Sequence, residues 1–476
     1  METVVNFILG LGAQVIMPIV IFVLGVIMGQ KPGRAFRGAL MTGVGFLGIF
    51  TMLGLLIPPA YDIAQAIVAK YQFGLDVIDI GWPAASAISW GWSPAIPVMI
   101  PIVFVINIIL LVVGFTNTFD VDIWNYWHFA TTGALVAMAT GNATLGLVAA
   151  VISAIITFKL ADWTAPLMEK YFGMPNVSIP HLTACAYTPL YVLLDKVMDA
   201  IPVVRDWKGD PETIRERFGV FGEPAFIGLA IGVILGLFAY DLTTADGWST
   251  LLTNAVMLMA AITILPRMVK ILMEGLLPLS DAARDFMTKR FKGRKFYIGL
   301  DWAITAGEPA VIATGLILMP IAIVLTVIMR PLGARTIPFG DLAVFAPMIC
   351  LAVAYTRGNI FRSTVYGTIM LAIDLWIATK IAPLFTQLGQ QVAGATAQLE
   401  QAMAVLQTGG AEMQMTSLEQ GGSPTSWIVL LPFKLGQASV GEIVFGVIWL
   451  AILIGGGFML IRGVKAKIAA WEKAAE

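Results

Sequence analysis

The chain has 476 residues, of which 58% are hydrophobic and 12% are charged, with a mean hydropathy of +0.85. Soluble globular chains carry roughly 25% charged residues, so this composition leaves too little polar surface for a soluble fold. The formal net charge of -1 excludes the basic surface typical of nucleic-acid-binding proteins. We therefore predict an all-α polytopic membrane protein, because helices satisfy their own backbone hydrogen bonds in lipid.

The apolar segments define the predicted spans. A membrane-spanning helix needs about 20 mainly apolar residues. Suitable segments begin near Leu11, Leu40, Ala95, Thr131, Leu145, Thr183, Pro224, Leu251, Val311, Leu342, Thr364 and Glu442. Because several are short or interrupted by Gly and Pro, we expect roughly 10–12 true spans. The stretches around Gly81–Pro94 and Thr305–Pro309 are predicted to be re-entrant, buried by protein or water.

The first apolar run and the two cysteines argue against a cleaved signal peptide and against a metal site. Val15 to Met28 lacks a preceding basic segment and a small-residue cleavage site, so we predict a retained helix. Cys185 and Cys350 lie in apolar stretches and are expected to be buried hydrophobic residues. No cysteine and histidine cluster predicts a metal site, and we expect no cofactor. The chain has no Walker A sequence, which argues against ATP-driven transport by this chain alone.

Basic residues predict the orientation of the chain. They form four clusters: Lys31, Arg34 and Arg37; Arg205, Lys208, Arg215 and Arg217; Lys289, Arg290, Lys292, Arg294 and Lys295; and Arg462, Lys465 and Lys467. By the positive-inside rule all four are cytoplasmic, which puts the N-terminus outside and the C-terminus inside. The third cluster is also a candidate docking surface for an acidic or phosphorylated partner. From Ile381 to Phe433 there is no Lys or Arg, so the polar part of this stretch is predicted to be extracytoplasmic.

A repeated pattern divides the chain into two halves. Gly141-Asn142 and Gly358-Asn359 each precede an apolar helix, and in both halves a proline follows the asparagine after 24 residues. Because the basic clusters orient the halves oppositely, the pattern predicts an inverted repeat, as in many transporters with a midplane site. We predict a first repeat at residues 1–200, a cytoplasmic basic linker at 201–217 and a second repeat at 218–385. An extracytoplasmic polar insertion at 386–430 and a last span with a basic tail at 431–476 would follow.

The two histidines of the chain are candidate substrate ligands. His128 and His181 each lie where a polar segment enters an apolar one. Polar residues at membrane depth are costly and tend to be functional, although both side chains also suit ordinary packing. Trp82 is a candidate to stack on a sugar, or an interfacial tryptophan.

Other polar residues have two possible roles each. Glu308 opens an apolar helix, so it either caps that helix or, like His181, accepts a proton from a substrate hydroxyl. Asp122 and Asp341 lie at similar offsets before the two Gly-Asn pairs, and either bind substrate or cap helices. Asn142 and Asn359 are predicted to stabilise the ends of broken helices.

Nine segments spread over nearly the whole chain form a specific pattern together. They are Asp79-Ile80-Gly81-Trp82-Pro83, Val121–His128, Ala139-Thr140-Gly141, Ile179-Pro180-His181, Phe221-Gly222-Glu223-Pro224, Ile298-Gly299-Leu300-Asp301, Pro338-Phe339-Gly340-Asp341-Leu342-Ala343, Arg357-Gly358-Asn359 and Gly421-Gly422-Ser423-Pro424. In these segments the chain resembles the galactitol and ascorbate group of IIC components of phosphoenolpyruvate-dependent phosphotransferase systems, with the galactitol type most similar.

The resemblance implies an architecture, partners and site residues. It implies a homodimer in the bacterial inner membrane, with two inverted repeats of about five helices, a scaffold part and an elevator-like core part. A cytoplasmic IIB subunit phosphorylated on cysteine would donate the phosphoryl group, and a IIA subunit would recharge it. His128 and His181 match the sugar-site histidines of the family, and Thr132 falls at a polar sugar contact. The Gly-Glu-Pro form at Glu308 departs from the expected pattern, which leaves the identity of the polyol open.

The resulting hypothesis is a sugar-translocating subunit. It binds a polyol, galactitol by resemblance, outside the cell, carries it across the membrane and presents it to phosphorylated IIB. The chain is then the membrane component of a sugar phosphotransferase, whose phosphoryl-carrying residue is on IIB. The alternative is an ion-coupled secondary transporter that uses Asp122, Asp341 or Glu308 as a proton or sodium site.

Overall fold

The structure is a computed structural model that describes residues 13–71, 76–91, 95–205, 207, 209, 224–290, 294–338, 340–391 and 414–473. Some predicted features lie outside the described residues. They are most of the basic linker, residues 291–293 of the third basic cluster, Phe221-Gly222-Glu223, and residues 392–413 of the polar insertion.

The first half of the chain alternates long helices with very short strands. In order these are α1 (Ala13–Ile27), α2 (Pro32–Tyr71), β1 (Val77–Asp79), α3 (Trp82–Gly91), α4 (Ala95–Val112), β2 (Thr118–Asp120), α5 (Ile123–Thr140), α6 (Ala143–Lys170), β3 (Val177–Ser178), α7 (Leu182–Ala186), α8 (Thr188–Asp199) and α9 (Pro202–Arg205).

The second half continues in the same manner. It contains α10 (Pro224–Ala239), α11 (Ala245–Arg290), β4 (Tyr297–Gly299), α12 (Pro309–Ile328), β5 (Thr336–Ile337), α13 (Phe345–Met348), α14 (Cys350–Tyr355), α15 (Ile360–Gln391), β6 (Gln414–Thr416), α16 (Leu418–Gly421), α17 (Pro424–Lys434), α18 (Val440–Ala451) and α19 (Gly457–Lys473). Short 3₁₀ turns at Trp302–Thr305, Arg330–Leu332 and Leu342–Val344 and a π-helical turn at Ile452–Gly456 connect some of these helices.

Length and composition make this a membrane fold. Four of the described helical segments are long and apolar enough to cross a bilayer: Ala143–Lys170, Pro309–Ile328, Ile360–Gln391 and Val440–Lys473. Each exceeds or equals the roughly 20 residues that a hydrocarbon core requires. The predicted all-α membrane class is therefore confirmed.

Two breaks in the helices have local sequence causes. Helix α5 ends at Gly141, whose φ of 66° lies in the left-handed region that glycine adopts without steric cost. The side chain of Asn142 then accepts hydrogen bonds from the backbone N–H groups of Thr144 (2.9 Å) and Leu145 (3.3 Å), which caps α6. Asn359 acts in the same way for α15, since its side chain accepts from Arg362 N at 3.0 Å.

Two small parallel sheets join the halves of the chain. In one sheet β1 lies between β5 and β6, with Val77 opposite Thr336 and Gln414. In the other sheet β4 lies between β2 and β3. The central strand of each sheet therefore comes from the opposite half of the chain to its two neighbours. These strand exchanges hold the segments that follow each strand close together in space.

Helices α1, α2, α10 and α11 pack against one another as a separate layer. Small residues allow close helix contact there, as at Gly38 of α2, where an added Cβ would lie 3.0 Å from the carbonyl oxygen of Gly275 in α11. The remaining helices surround the two sheets. Two buried apolar clusters fill the molecule, and one of them continues into the four-helix layer at Ile21, Leu235 and Leu258. The polar residues considered next lie among these remaining helices.

Candidate functional site

A cavity of about 50 Å³ lies between the segments that follow the sheet strands. Its walls are mostly aromatic or apolar, with a few polar side chains among them. The lining residues are Trp82, Trp124, Trp127, His128, His181, Asp301, Trp302, Ala303, Ala306, Val344, Pro347, Glu419 and Gln420.

The sheets bring the polar lining residues together from both halves. His181 follows the last residue of β3 by three positions, and Glu419 follows the last residue of β6 by three positions. Asp301 comes two residues after β4, which is the neighbour of β3. Ligand sites of parallel sheets form beyond the carboxyl ends of the strands, and these three side chains follow that rule.

Glu419 contacts both histidines through one oxygen. Its Oε1 atom lies 3.1 Å from His181 Nε2 and also makes a short hydrogen bond with His128 Nε2. An ionised carboxylate only accepts hydrogen bonds, so both imidazoles donate from Nε2. The centres of the two imidazole rings are 4.1 Å apart, with 64° between their planes. The carboxylate thus fixes the position of both rings.

Aromatic side chains form much of the remaining cavity wall. The indole of Trp302 stacks on His181, with ring centres 3.6 Å apart and 15° between the planes. Trp82 packs edge to face against Trp124, with ring centres 5.2 Å apart. The ring centres of Trp124 and Trp127 are 3.9 Å apart. Aromatic faces of this kind pack against the C–H groups of a ligand, while polar groups between them set its orientation.

Three polar atoms of the lining residues have no hydrogen-bond partner among the residues that the structure describes. They are His128 Nδ1, His181 Nδ1 and Glu419 Oε2. All three residues are at most 2% exposed. Buried polar groups are almost always hydrogen-bonded, because an unpaired one costs about 1–3 kcal/mol. We interpret these atoms as groups that pair with a polar ligand.

The same three side chains have the composition of a metal site. Two imidazoles and one carboxylate place one ligand atom each within 4.8 Å of the others, as Zn²⁺ requires. Metal-bound histidines, however, normally donate their second ring N–H to a carboxylate or carbonyl group. Neither Nδ1 atom has such a partner in the described part of the chain. The arrangement therefore fits a ligand with several hydroxyl groups better than a metal ion.

Comparisons with known proteins agree with this interpretation. Residues 7–399 match the model of a family described as "PTS system sugar-specific permease component". The "PTS system galactitol-specific EIIC component" of Escherichia coli (strain K12) is 37% identical to this chain over 448 residues, which cover 94% of both proteins. The protein of the same name from Escherichia coli O157:H7 is similar to the same degree. This chain belongs to the family of phosphotransferase-system sugar permeases.

Membership makes the chain the IIC component of a phosphotransferase system and a multi-pass membrane protein. Such a permease works with IIA and IIB components. The ion-coupled transporter that we kept as an alternative is not favoured. The predicted resemblance and the predicted function class are confirmed.

Asp122 and Asp341 do not line the cavity of the permease, but they accept hydrogen bonds from residues that do. Asp122 Oδ2 accepts a hydrogen bond from Asp301 N at 3.0 Å, across the two halves of the chain. Asp341 accepts from Trp82 N at 2.7 Å and from Glu419 N at 3.0 Å. Both carboxylates therefore fix the backbone of residues that line the cavity.

The other predicted residues occupy different positions. Trp82 lines the cavity. Thr132 is buried beside it, where its hydroxyl donates to His128 O at 3.0 Å and contacts Ser426 Oγ at 2.8 Å. Glu308 caps α12 by accepting from Val311 N at 2.7 Å, and it is not among the lining residues.

The sequence analysis missed Glu419, Gln420, Asp301 and Trp302. Glu419 lies within residues 386–430, which we predicted to be an extracytoplasmic polar insertion. The structure instead has β6 and α16 there, and both are largely buried. A strand of three residues and a helix of four are too short to show a periodic pattern. The available signal was the Gly421-Gly422-Ser423-Pro424 segment, which directly follows these elements.

Proposed function

We propose that the permease binds a hexitol, galactitol, in this cavity, carries it across the membrane and presents it to phosphorylated IIB. The observation that supports this most strongly is the set of three unpaired polar atoms on His128, His181 and Glu419. A polyol offers neighbouring hydroxyls that both donate and accept, so one ligand can pair with all three. The name of the similar Escherichia coli proteins points to galactitol within this class.

The present cavity is smaller than a hexitol. A volume of about 50 Å³ holds only a few water molecules, at roughly 10–15 Å³ for each. Sugar binding therefore requires the cavity to widen. Trp82, Trp124 and Trp127 come from helices α3 and α5 of the first half, whereas Trp302 and Glu419 come from the second half. We propose that relative movement of these segments admits the sugar.

The strand exchange supports an inverted repeat of residues 1–200 and 218–385, provided that the second repeat also includes β6 at Gln414–Thr416. Each sheet has one central strand from one half and two outer strands from the other, as a pseudo-twofold axis in the membrane plane produces. We propose that helices α1, α2, α10 and α11 form the scaffold of a homodimer and that the remaining helices move as an elevator-like core. Arg462, Lys465 and Lys467 after the last apolar helix support a cytoplasmic C-terminus, with the N-terminus outside.

Phosphorylation completes the proposed cycle. A sugar hydroxyl loses its proton to His181 Nδ1, and Glu419 compensates the resulting imidazolium charge from 3.1 Å. The oxygen forms a bond to phosphorus as the phosphorus–sulfur bond of the IIB phosphocysteine breaks, and the thiolate remains on IIB. His181 later returns the proton to water. Such transfers depend mainly on positioning and charge stabilisation. Glu308 is a less suitable acceptor because it is not part of the cavity wall.

Inverted membrane vesicles test the proposal. They are loaded with radiolabelled galactitol and supplied with phosphoenolpyruvate, the general phosphotransferase proteins, IIA and IIB, and sugar phosphate is counted. We expect product that requires both IIB and this chain and that is lost in His181→Ala. Product with another polyol only would change the substrate. Sugar movement that follows an ion gradient, without any phosphorylated product, would refute the proposal.

A further inference from the structure

The turn between α14 and α15 carries an arginine in an unusual backbone conformation. Arg357 has a φ of 54°, and Gly358 has a φ of 76°. The left-handed region is unfavourable for residues with a Cβ other than Asn and Asp. In the corresponding turn between α5 and α6, Gly141 matches Gly358, and the residue that matches Arg357 is Thr140, the last residue of α5. Among the described residues the only other non-glycine with positive φ is Asn176. A cationic side chain thus occupies a backbone conformation that glycine adopts more easily.

The charge of Arg357 is available to a partner. Its side chain is exposed, and its guanidinium carbon lies 5.8 Å from the centre of the Trp471 ring in α19. It forms no ion pair with any residue in the described ranges. The neighbouring cations differ, because Arg362 pairs with Asp195 at 3.0 Å and Lys467 pairs with the same carboxylate at 2.8 Å.

Two connections, one buried and one partly buried, link this turn to the sugar cavity. Helices α13 and α14 run from Pro347, which lines the cavity, to the turn itself, and their residues are all buried. The ten residues from Pro347 to Arg357 span about 15 Å at the helical rise. The second connection begins two residues after Ala306, where Glu308 accepts a hydrogen bond from Tyr171 at 2.7 Å. That hydroxyl in turn packs against Gly358.

We propose that Arg357 recognises the phosphoryl group of the phosphorylated IIB subunit at this turn. The inference rests on the proposed function and names the docking position of its partner. A phosphoryl group carries about -1.5 to -2 charges at neutral pH, and a guanidinium binds it through two parallel hydrogen bonds. The turn lies beside α19, whose basic residues support a cytoplasmic location. Arg357 therefore directs phosphorylated IIB to the end of the core that is connected to the sugar.

Three substitutions separate charge from backbone conformation. Arg357→Gly and Arg357→Asn remove the charge and suit the left-handed backbone, so both preserve the fold. Arg357→Lys keeps a charge but loses the paired hydrogen bonds. In the vesicle assay, phosphorylated IIB is titrated at saturating galactitol. We expect the KM for phosphorylated IIB to rise at least roughly tenfold in the Gly and Asn variants and less in the Lys variant. The kcat and the affinity for galactitol should stay within about twofold of wild type.

The outcomes distinguish this inference from the proposed function. Wild-type turnover with an unchanged KM for phosphorylated IIB in Arg357→Gly would overturn the docking role alone. A second outcome would also overturn the docking role. If the KM is unchanged and only the wild-type activity depends on anionic lipid, the arginine binds a lipid headgroup instead. Absence of sugar phosphate with the wild-type chain would overturn the proposed function and this inference with it.

Discussion

Replacing Glu419 by glutamine tests the central feature of the cavity. The carboxylate accepts hydrogen bonds from both imidazoles through one oxygen. A hydrogen bond to a charged group contributes about 1.5–3 kcal/mol, against about 0.5–1.5 kcal/mol for a neutral pair. The difference is about 1 kcal/mol for each histidine and about 2 kcal/mol for both. Sugar binding to the variant must fix the two imidazoles in place without this energy. Glu419→Gln should therefore weaken galactitol binding by about 30-fold.

Equilibrium binding of labelled galactitol to membranes without IIB measures this effect directly. Glu442→Gln is a matched control, since Glu442 is also buried but caps α18 through Ser439, away from the cavity. Its galactitol affinity should equal that of wild type. Wild-type affinity in a folded Glu419→Gln variant would show that the carboxylate does not organise the histidines for sugar binding, and our reasoning would be wrong.

Three further substitutions probe the surroundings of the cavity. Trp302→Ala removes the ring stacked on His181 and should weaken galactitol binding about fivefold in the same assay, since such a stack contributes about 1 kcal/mol; unchanged affinity would contradict this. Asp341→Asn leaves the backbone N–H of Trp82 or Glu419 unpaired. It should lower the free energy of unfolding by about 1–3 kcal/mol and lower the melting temperature; an unchanged melting temperature would contradict this. Gly358→Ala should destabilise more than Gly141→Ala, because only at Gly358 would the new Cβ lie 2.7 Å from a tyrosine hydroxyl; equal melting temperatures would contradict this.

The sequence predicted the features that depend on local or periodic signals. Low charge and long apolar segments indicated membrane helices. The Gly-Asn pairs indicated helix breaks, and Asn142 and Asn359 do cap the following helices in the structure. His128 and His181 stood out because polar residues are costly at membrane depth. The structure brings these two histidines into contact, although 53 residues separate them in the chain.

The strands and the second half of the cavity could not be predicted in the same way. The register of β1 with β5 and β6 joins residues more than 250 positions apart, and strands of two or three residues have no detectable alternation. Glu419 stands in a polar stretch, where one more carboxylate is unremarkable. Its significance arises only when β6 pairs with β1 and buries the residues that follow. Tertiary pairing, rather than local propensity, creates this part of the site.

The proposed repeat gives a physical reason why Glu419 escaped notice. His181 and Glu419 each follow the outer strand of a sheet by three residues, β3 in one half and β6 in the other. Because Glu419 lies beyond residue 385, the two positions correspond only if the proposed second repeat also includes β6. Their side chains meet at 3.1 Å. The proposed symmetry would bring equivalent positions together, while the sequence places a donor on one side and an acceptor on the other. The contact pairs an imidazole donor with a carboxylate acceptor, because the two positions carry different residues. A search for identical residues between the halves therefore cannot detect it, whereas a search for complementary residues at equivalent positions can.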